Sequence, residues 1–500
     1  MNESSMSGAP RRLAASALLS LALAGCVSDG GLRPQARTDD GATLVADAVL
    51  RDAHYADVTP AAWPAHDWWR RYGDAQLDAL VAEALAGSPT LRIADARIRQ
   101  SSALAGLAEA ALSPQAGAAA RSSRQHYSAN SNVPPPLAGN WRWSNEASMN
   151  FSYELDFWGK NQAGLDAAIG RRNAAEVEAQ AARLMLVVGV TQTYLRLHQA
   201  YAQRDLAHAV LAQRAQVLAL TRQRVDAQLD SSVDLKQAQL AIPVAREQIA
   251  AADETVALLR NQLAALLGAG PDRGLAIARP AMQAVRPAAV PTLLPSALLA
   301  RRPDVVAQRW RIEAQARDIA GAKAQFYPSV NLTALVGLQS LGFSRLLEGG
   351  SRIAGAGPTL SLPIFDGGRL RSNLAARNAE YDIAVEQYNQ TLVDAMRDVV
   401  GQLVSLDALR QRTAYQDEAL ATAQQAYELS VQRYRAGVGN YLQVLATEIQ
   451  VLAQRRAHID LEARAFDLDM QLVRALGGGH AAEPLSPTSP TSPTYSQVTP

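Results

Sequence analysis

Hydrophobic and polar residues follow two different periods along this chain, and the longest segments have the helical one. From about 164 to 228, and again from about 370 to 436, apolar residues recur every three or four positions without a proline. Each segment predicts a helix of more than sixty residues, about 100 Å long at a rise of 1.5 Å per residue. A shorter helix follows each one, with apolar residues at heptad spacing from Ile242 to Leu266 and in a second copy from Val451 to Ala475. This spacing is typical of helices that pack along a continuous seam.

Other segments alternate with a period of two, which predicts strands. Between Trp143 and Leu155 the odd positions are mostly apolar and the even positions are polar. The alternation returns at 330–338 and 354–363, and a weaker version covers Gln115–Tyr127. Each segment has about ten residues or slightly more, the length that a tilted strand needs to cross a bilayer. A half-buried sheet of a soluble protein is the alternative reading of the strands alone.

The chain contains a tandem duplication. Leu229 and Gly268 match Val438 and Gly477 at a constant offset of 209, with both ends of a helix in phase. A pair of matching prolines, 214 residues apart, begins a helix in each half. Each copy therefore predicts the same series of helices and strands, ending in a long helical hairpin.

The N-terminus resembles a bacterial export signal with a lipid attachment site. Two arginines precede a short apolar run at 13–24, which is too short to span a membrane. The run ends in Leu23-Ala24-Gly25-Cys26, which resembles the lipobox whose cysteine becomes the acylated first residue of a lipoprotein. Cys26 is the only cysteine of the chain, so no disulfide can form within it. We expect Cys26 to be acylated, with a chance cysteine near an ordinary signal as the alternative.

These patterns divide the chain into six segments. We expect a signal peptide at 1–25, a lipidated N-terminal arm at 26–73, a first structural repeat at 74–270, a linker at 271–292, a second structural repeat at 293–478 and a disordered tail at 479–500.

Composition and charge exclude several classes of function. Hydrophobic residues make up 48% of the chain and aromatic residues only 5%, which favours long, closely packed helices over a globular enzyme core. A net charge of +1 gives no basic surface for nucleic acid. The seven histidines show no metal-ligand spacing, and no Gly-Lys-Ser/Thr phosphate loop is present. We therefore expect neither an enzyme nor a cofactor-binding protein, and any energy for transport must come from partners.

Taken together, these residues resemble the TolC family of outer-membrane efflux channels, in the lipoprotein branch that serves pumps of the resistance-nodulation-division type. The most specific part of the resemblance is Arg433–Val438 followed by Tyr441-Leu442. It implies a mixed α and β membrane protein, in which a homotrimer shares one transmembrane β-barrel of twelve strands, four from each chain. A long α-helical barrel continues it through the periplasm. This agrees with a physical requirement, because a four-stranded sheet with two open edges cannot remain in lipid.

The resemblance also implies a function and partners. The chain is expected to be the channel of a tripartite efflux system in the outer membrane of a Gram-negative bacterium. Its partners would be a periplasmic adaptor and an inner-membrane pump, with outer-membrane lipid held through Cys26. A lipid-anchored periplasmic coiled coil is the main alternative, but it leaves the alternating strands unexplained. The exported substrate cannot be read from the sequence.

The resemblance places site residues at the periplasmic end of the tunnel. Leu442 matches a leucine of a constriction ring, and Asp234 matches an acidic position of some relatives. Ala446 stands where relatives often have Asp, so Glu448 is a further candidate for an acidic constriction. Asp234 is equally well explained as a charge at a helix N-terminus. The tips expected to meet the adaptor are the turns containing Leu229, Asp230, Gly437, Val438 and Gly439.

Overall fold

The computed structural model describes residues 28–39, 63–283 and 301–480. The predicted signal peptide, Cys26, the linker from 284 onward and the tail from 481 onward lie outside these residues. Within them, no helix is both long and apolar enough to cross a membrane.

Each repeat contributes two strands and several helices. Two short 3-10 helices, Trp68–Tyr72 and Gly349–Ser351, accompany them. In chain order the elements are α1 (Ala75–Gly87), α2 (Pro89–Ala110), β1 (Gln115–His126), β2 (Trp141–Leu155), α3 (Lys160–Asp226), α4 (Ser232–Leu266), α5 (Asp272–Leu275), α6 (Pro303–Ala324), β3 (Ser329–Leu341), β4 (Arg352–Ser361), α7 (Arg369–Arg435) and α8 (Tyr441–Ala475).

The lengths of the helices confirm the duplication. The helices α2 and α6 have 22 residues each, α3 and α7 have 67, and α4 and α8 have 35. Both ends of α3 and α7 differ by 209 (369 − 160 and 435 − 226), whereas α2 and α6 differ by 214 (303 − 89). These are the two offsets found in the sequence.

Two glycines make the same close contact in the two repeats. A side chain on Gly268 would clash with the carbonyl oxygen of Gly87, and one on Gly477 would clash with the carbonyl oxygen of Arg301. Both glycines have positive φ, +74° and +93°, a conformation that side chains disfavour. Each repeat therefore uses a glycine to bring the end of its returning helix against the start of its proline-led helix.

The four strands form one antiparallel sheet in the order β1-β2-β3-β4. Met149 pairs with Ala118 on one side and Val336 on the other, and Val336 pairs with Ala354. Paired residues share a face, so this register puts the apolar positions of all four strands on the same side. That face carries Ala116, Ala118, Met149, Phe151, Tyr153, Leu155, Val330, Leu332, Ala334, Val336, Ala354, Ala356, Pro358 and Leu360.

The opposite face of the sheet is largely polar and includes Asn150, Ser152, Asn331, Thr333 and Thr359. In the part of the chain that the structure describes, β1 and β4 each have one edge without a strand partner. The sheet therefore has one apolar face, one polar face and two edges without a strand partner.

The chain divides into two compact units, and each takes segments from both repeats. The first unit comprises the described residues within Met1–Thr38, Arg97–Glu176 and Gln308–Tyr388, and it contains the sheet. The second comprises the described residues within Asp39–Ala96, Val177–Ala307 and Asn389–Pro500.

The aromatic cluster before α1 belongs to the core of the second unit. The sequence predicted that these residues belong to the N-terminal arm at 26–73, but Trp68, Trp69 and Tyr72 are buried against residues of α1, α3, α4 and α8. Asp469 of α8 accepts a hydrogen bond from the Tyr72 hydroxyl at 3.0 Å and pairs with Arg71. The large apolar area of these rings explains why they lie inside.

Candidate functional site

The two hairpin tips are tight turns between capped helices. Between α3 and α4, the Ser231 hydroxyl accepts from the Asp234 backbone N–H, and the Asp234 carboxylate accepts from the Ser231 backbone N–H at 3.0 Å. At the second tip the Asn440 side chain accepts from the backbone N–H of Gln443 at 2.9 Å. These bonds satisfy N–H groups that a helix start leaves free. Asp234 is thus a capping residue.

A buried arginine ties the two tips together. Arg224, near the end of α3, donates through Nε and Nη2 to both carboxylate oxygens of Asp230, at 2.9 and 3.0 Å. Its Nη1 donates to the backbone carbonyl of Tyr434 in α7 at 3.0 Å, and its guanidinium lies 4.4 Å from the centre of that tyrosine ring. The Tyr434 hydroxyl in turn donates to Asp230 and lies 3.2 Å from the hydroxyl of Thr221.

The charges of this network are stabilised by their neighbours. The hydrogen bonds from Arg224 hold the pKa of the Asp230 carboxyl below its ordinary value, against the opposing effect of burial. Burial, together with the nearby carboxylate, raises the pKa of Tyr434 to about 12. At neutral pH the network therefore consists of an ion pair with a neutral phenol attached to it.

The second tip cannot form its own version of this ion pair. The residue 209 positions after Asp230 is Gly439, which has no carboxylate. The backbone also differs between the tips, because Gln228 has φ +57° where the second repeat has Gly437 with φ +78°. The first tip therefore tolerates a strained residue that the second avoids.

Glu448 does not occupy the position predicted for it. The sequence offered it as part of an acidic constriction, but its side chain is 6% exposed and lies 3.4 Å from Nε of Arg214 in α3. Burial raises the pKa of its carboxyl above the ordinary value, and Arg214 opposes this. The error has a geometric cause, since Glu448 lies on the buried stripe of α8 that also carries Tyr441, Val444 and Val451.

Three of the exposed positions of α8 near the tip are apolar. Leu442 and Ile449 are 54% and 52% exposed, and Ala446 between them is also exposed. The predicted ring residue Leu442 is therefore accessible within a single chain. At the turns themselves, Leu229 and Val438 are 65% and 68% exposed, whereas Asp230 is buried in the network with Arg224.

The sheet carries aromatic side chains at both of its ends. At the hairpin end, Trp141 and Trp143 are exposed, and the Trp143 ring lies 5.5 Å from the ring of Phe343. At the other end, where the strands lead into α3 and α7, Phe365 is 91% exposed and Trp158 stacks on Tyr327. Two belts of this kind are typical of the interfaces of a membrane-spanning sheet.

The start of the N-terminal arm lies beside the second of these belts. The carbonyl oxygen of Ser28 accepts a hydrogen bond from Nε of Arg371, in the first turn of α7, at 2.9 Å. Leu32 packs in an apolar cluster with Phe326 and Leu370. Further along, the Asp382 carboxylate accepts from the backbone N–H groups of 35 and 36, both at 2.9 Å. The arm therefore follows α7 away from the sheet.

Sequence reasoning missed the partners that organise the tips. Arg224 had no predicted role, although a carboxylate six residues later, across a tight turn, was a usable signal. The pairing of Arg214 with Glu448 links different repeats and left no local signal. In the described residues, no group of three or more His, Cys, Asp or Glu side chains is placed to hold a metal ion.

Comparisons with known proteins agree with these features. The model of the outer membrane efflux protein family matches residues 80–269 and 294–478. The chain is 41% identical to the fusaric acid resistance protein FusA of Burkholderia cepacia, over 72% of this chain and 68% of that protein. It is 34% identical to the multidrug resistance outer membrane protein MdtP of Escherichia coli K12, over 87% of this chain and 90% of that protein.

Solved structures give the same result. The outer membrane protein VceC of Vibrio cholerae is 37% identical and superposes with a TM-score of 0.78, covering 84% of this chain and all of that one. These likenesses confirm the resemblance, the fold class and the outer-membrane efflux role expected from the sequence. A lipid-anchored coiled coil does not account for the sheet.

Proposed function

Because the chain belongs to the outer membrane efflux protein family, we propose that it is the outer-membrane channel of a tripartite efflux system. Substrates enter from a periplasmic adaptor and an inner-membrane pump of the resistance-nodulation-division type, and leave passively to the exterior. The observation that carries the proposal is the combination of a sheet with one apolar face and two hairpins whose long helices have 67 residues. The sheet suits lipid, and the hairpins suit a conduit beyond it.

The open sheet edges support the proposed trimer. In lipid each unpaired backbone group costs several kcal/mol, so β1 and β4 need strand partners. Pairing β4 of one copy with β1 of the next satisfies both edges. Three copies of the four-stranded sheet then close a barrel of twelve strands.

We propose that Cys26 is acylated and inserts its lipid beside the sheet. Cys26 precedes Ser28 by two residues, which span at most about 7 Å of extended chain. Ser28 is hydrogen-bonded to Arg371 in the first turn of α7. The nearby aromatic belt, with Trp158 and Phe365, supports a membrane interface at this level.

The substitution Cys26→Ser tests this anchor. It should abolish labelling with radioactive palmitate yet leave the protein in the outer-membrane fraction, because the strands insert independently. Persistent labelling would assign the lipid to another residue. Complete loss of membrane residence would show that lipid, rather than the sheet, holds the protein there.

We propose that the tips contact the adaptor through Leu229 and Val438. They are copies of each other at the offset of 209, and both expose apolar side chains at the turns. The two turns beside them also contain Asp230, Gly437 and Gly439. For the constriction we propose Leu442, with Asp234 as its acidic neighbour, and we withdraw Glu448.

A resistance assay tests the proposed function. The gene is expressed in a Gram-negative host that lacks its own outer-membrane channel but supplies adaptor and pump, and growth is measured on fusaric acid and on a panel of drugs. The wild type should restore resistance, whereas Leu229→Asp combined with Val438→Asp should not. Leu347→Asp, at an 87% exposed residue following β3, is the matched control. Failure of the wild type with every adaptor and pump pair would overturn the proposal.

A further inference from the structure

The two faces of the sheet carry different charges. The polar face has charges of both signs, among them Arg121, Arg142 and Glu146 in β1 and β2. On the apolar face, the strands of the described chain have no carboxylate. They do have two arginines there, Arg124 in β1 and Arg352 in β4, both toward the hairpin end. The face that suits lipid therefore carries cations without matching anions.

Arg352 lies at the limit of the apolar band. It pairs with Leu338, and eight residues separate Leu338 from Val330 at the opposite end of β3. At about 3.4 Å per residue this is roughly 27 Å along a tilted strand, close to the height of about 25 Å that is typical of the lipid-facing band of a barrel. A charge in hydrocarbon is costly, so the guanidinium of Arg352 extends toward the headgroups beyond the band.

Beyond this band, toward the hairpins, the same face becomes polar. Ser122, Asn145 and Ser340 form one row across β1, β2 and β3. The Ser122 hydroxyl donates to Oδ1 of Asn145 at 2.7 Å, and the amide nitrogen of Asn145 has no hydrogen-bond partner among the described residues. Because unpaired polar groups are costly in hydrocarbon, this row marks the level of the headgroups.

Arg124 lies two residues further along β1, among aromatic rings. It pairs with Trp143, and its guanidinium lies 5.7 Å from the centre of the Trp141 ring. The His126 ring lies 5.3 Å from the same tryptophan. Arg124 and Arg352 are both exposed, and neither forms an ion pair within the part of the chain that the structure describes. Both guanidinium groups are thus accessible to an anion from outside the chain.

We propose that Arg124, Arg352 and the polar row between them bind a phosphorylated lipid of the outer leaflet. Its acyl chains lie along the apolar face, and the two guanidinium groups hold phosphates of its headgroup through charge-assisted hydrogen bonds. The hairpin end faces this leaflet, because the other end of the sheet leads into the periplasmic helices α3 and α7. In an outer membrane the lipid of this leaflet is lipopolysaccharide, whose lipid A anchor carries phosphates on its sugars.

The distribution of charge favours this lipid over a phospholipid of the inner leaflet. At the periplasmic end the apolar face finishes in Leu155, Val330 and Leu360, and the strands carry no charged residue on that face at this end. The cations are confined to the end that meets the anionic headgroups. Arginine also suits phosphate, because its planar fork donates two parallel hydrogen bonds.

Native mass spectrometry of the delipidated, detergent-solubilised protein tests the proposal. Lipid A is titrated into the wild type and into a double variant, Arg124→Gln with Arg352→Gln. The double variant should bind lipid A at least about tenfold more weakly, because it loses hydrogen bonds to a charged group. Arg124→Lys with Arg352→Lys keeps both charges and should retain most of the affinity. The same spectra give the oligomeric mass, so a variant that fails to assemble is recognised.

The matched control lies on the other face of the same sheet. Arg121→Gln with Arg142→Gln removes the same total charge and should leave lipid A binding nearly unchanged. An equal loss in both glutamine double variants would assign the effect to net charge and overturn the proposal. Undiminished binding by the assembled Arg124→Gln, Arg352→Gln protein would overturn it as well.

Three further ligands separate recognition of phosphate from burial of acyl chains. Dephosphorylated lipid A and phosphatidylethanolamine should bind the wild type about as weakly as lipid A binds the Arg124→Gln, Arg352→Gln protein. Inorganic phosphate should not displace lipid A, because it has no chains to cover the apolar face. Displacement by phosphate would show a site for free anions, and equal affinity for phosphatidylethanolamine would show a general lipid surface. Either result overturns the proposal.

This inference rests on the outer-membrane position of the sheet and involves neither the adaptor, the pump nor the exported substrate. Failure of the resistance assay would therefore leave the expected lipid binding unchanged. Conversely, a wild type that binds no lipid A but restores resistance would overturn the lipid site alone.

Discussion

At the scale of single residues, the first tip depends on one tyrosine hydroxyl. Tyr434→Phe removes the donor to Asp230 and leaves the aromatic contact with Arg224 in place. A hydrogen bond to a charged group contributes about 2 kcal/mol. The free energy needed to open the tip should therefore fall by that amount. Hydrogen exchange of the backbone amides at 221–235 measures it.

The neighbouring tyrosine is the matched control for this prediction. The Tyr441 ring lies 6.3 Å from that of Tyr434 and is equally buried, but its hydroxyl has no hydrogen-bond partner within the described residues. Tyr441→Phe should leave exchange at 221–235 nearly unchanged. Equal effects of the two substitutions would show that the hydroxyl of Tyr434 does not hold the tip.

A second prediction concerns pH and Glu448. Burial raises the pKa of this carboxyl in the folded protein above its ordinary value of 4.5, so the folded chain binds this proton more tightly than the unfolded chain does. The cost of ionising Glu448 therefore appears as pH rises from 4.5 through the raised pKa, and it is absent below that window. Relative to Glu448→Gln, the wild type should lose protection of the amides near 448 as pH rises.

Asp230 provides a contrast of opposite sign. The pKa of its carboxyl is lowered, mainly by hydrogen bonds from Arg224, so its contribution is present above the ordinary value of 3.8 and is lost as pH falls below it. Comparing amide protection of the wild type with that of Asp230→Asn at each pH should show this loss at low pH.

For Glu448, the opposite outcome would contradict the prediction. If amide protection near 448 increases with pH relative to Glu448→Gln, the interpretation of the buried carboxyl is wrong.

At the scale of elements, the two faces of the sheet predict opposite effects for adjacent residues of β2. Met149 lies on the apolar face near the middle of the strand, and Asn150 lies on the polar face. Met149→Arg places a charge in lipid, at a cost of about 2–4 kcal/mol near the bilayer centre. It should reduce the amount of trimer in the outer-membrane fraction, whereas Asn150→Arg should not. Equal loss with both variants would contradict the assignment of the faces.

The elements are also where sequence reasoning succeeded most. The ends of α3 and α7 lie within a few residues of the expected positions, because no proline interrupts them and a glycine or a tight turn ends them. Even the weak alternation at 115–127 proved to be β1. The predicted position of Glu448 was wrong because apolar residues spaced by three and four do not show which side of α8 faces α3. That choice depends on Arg214, more than two hundred residues away, and no local pattern contains it.

At the scale of the whole molecule, the duplication gives each half of the chain the same set of elements. Each repeat brings a strand pair, a proline-led helix and a hairpin, and the contact between α3 and α8 shows how one repeat meets the next. Within the described chain, the outer edges of β1 and β4 have no strand partner. These open edges call for further copies of the chain.

The final prediction concerns the assembled particle. Imaging of detergent-extracted protein should show a three-fold hollow particle longer than about 100 Å, since α3 and α7 alone reach that length at 1.5 Å per residue. A lipid-anchored coiled coil would instead become soluble without detergent once its acyl chains were removed, because it would have no apolar sheet to cover. The Cys26→Ser protein distinguishes these outcomes. If it purifies from the aqueous fraction as a stable monomer, the apolar face running from Ala118 through Met149 and Val336 to Ala354 is not a lipid surface, and the export role is lost with it.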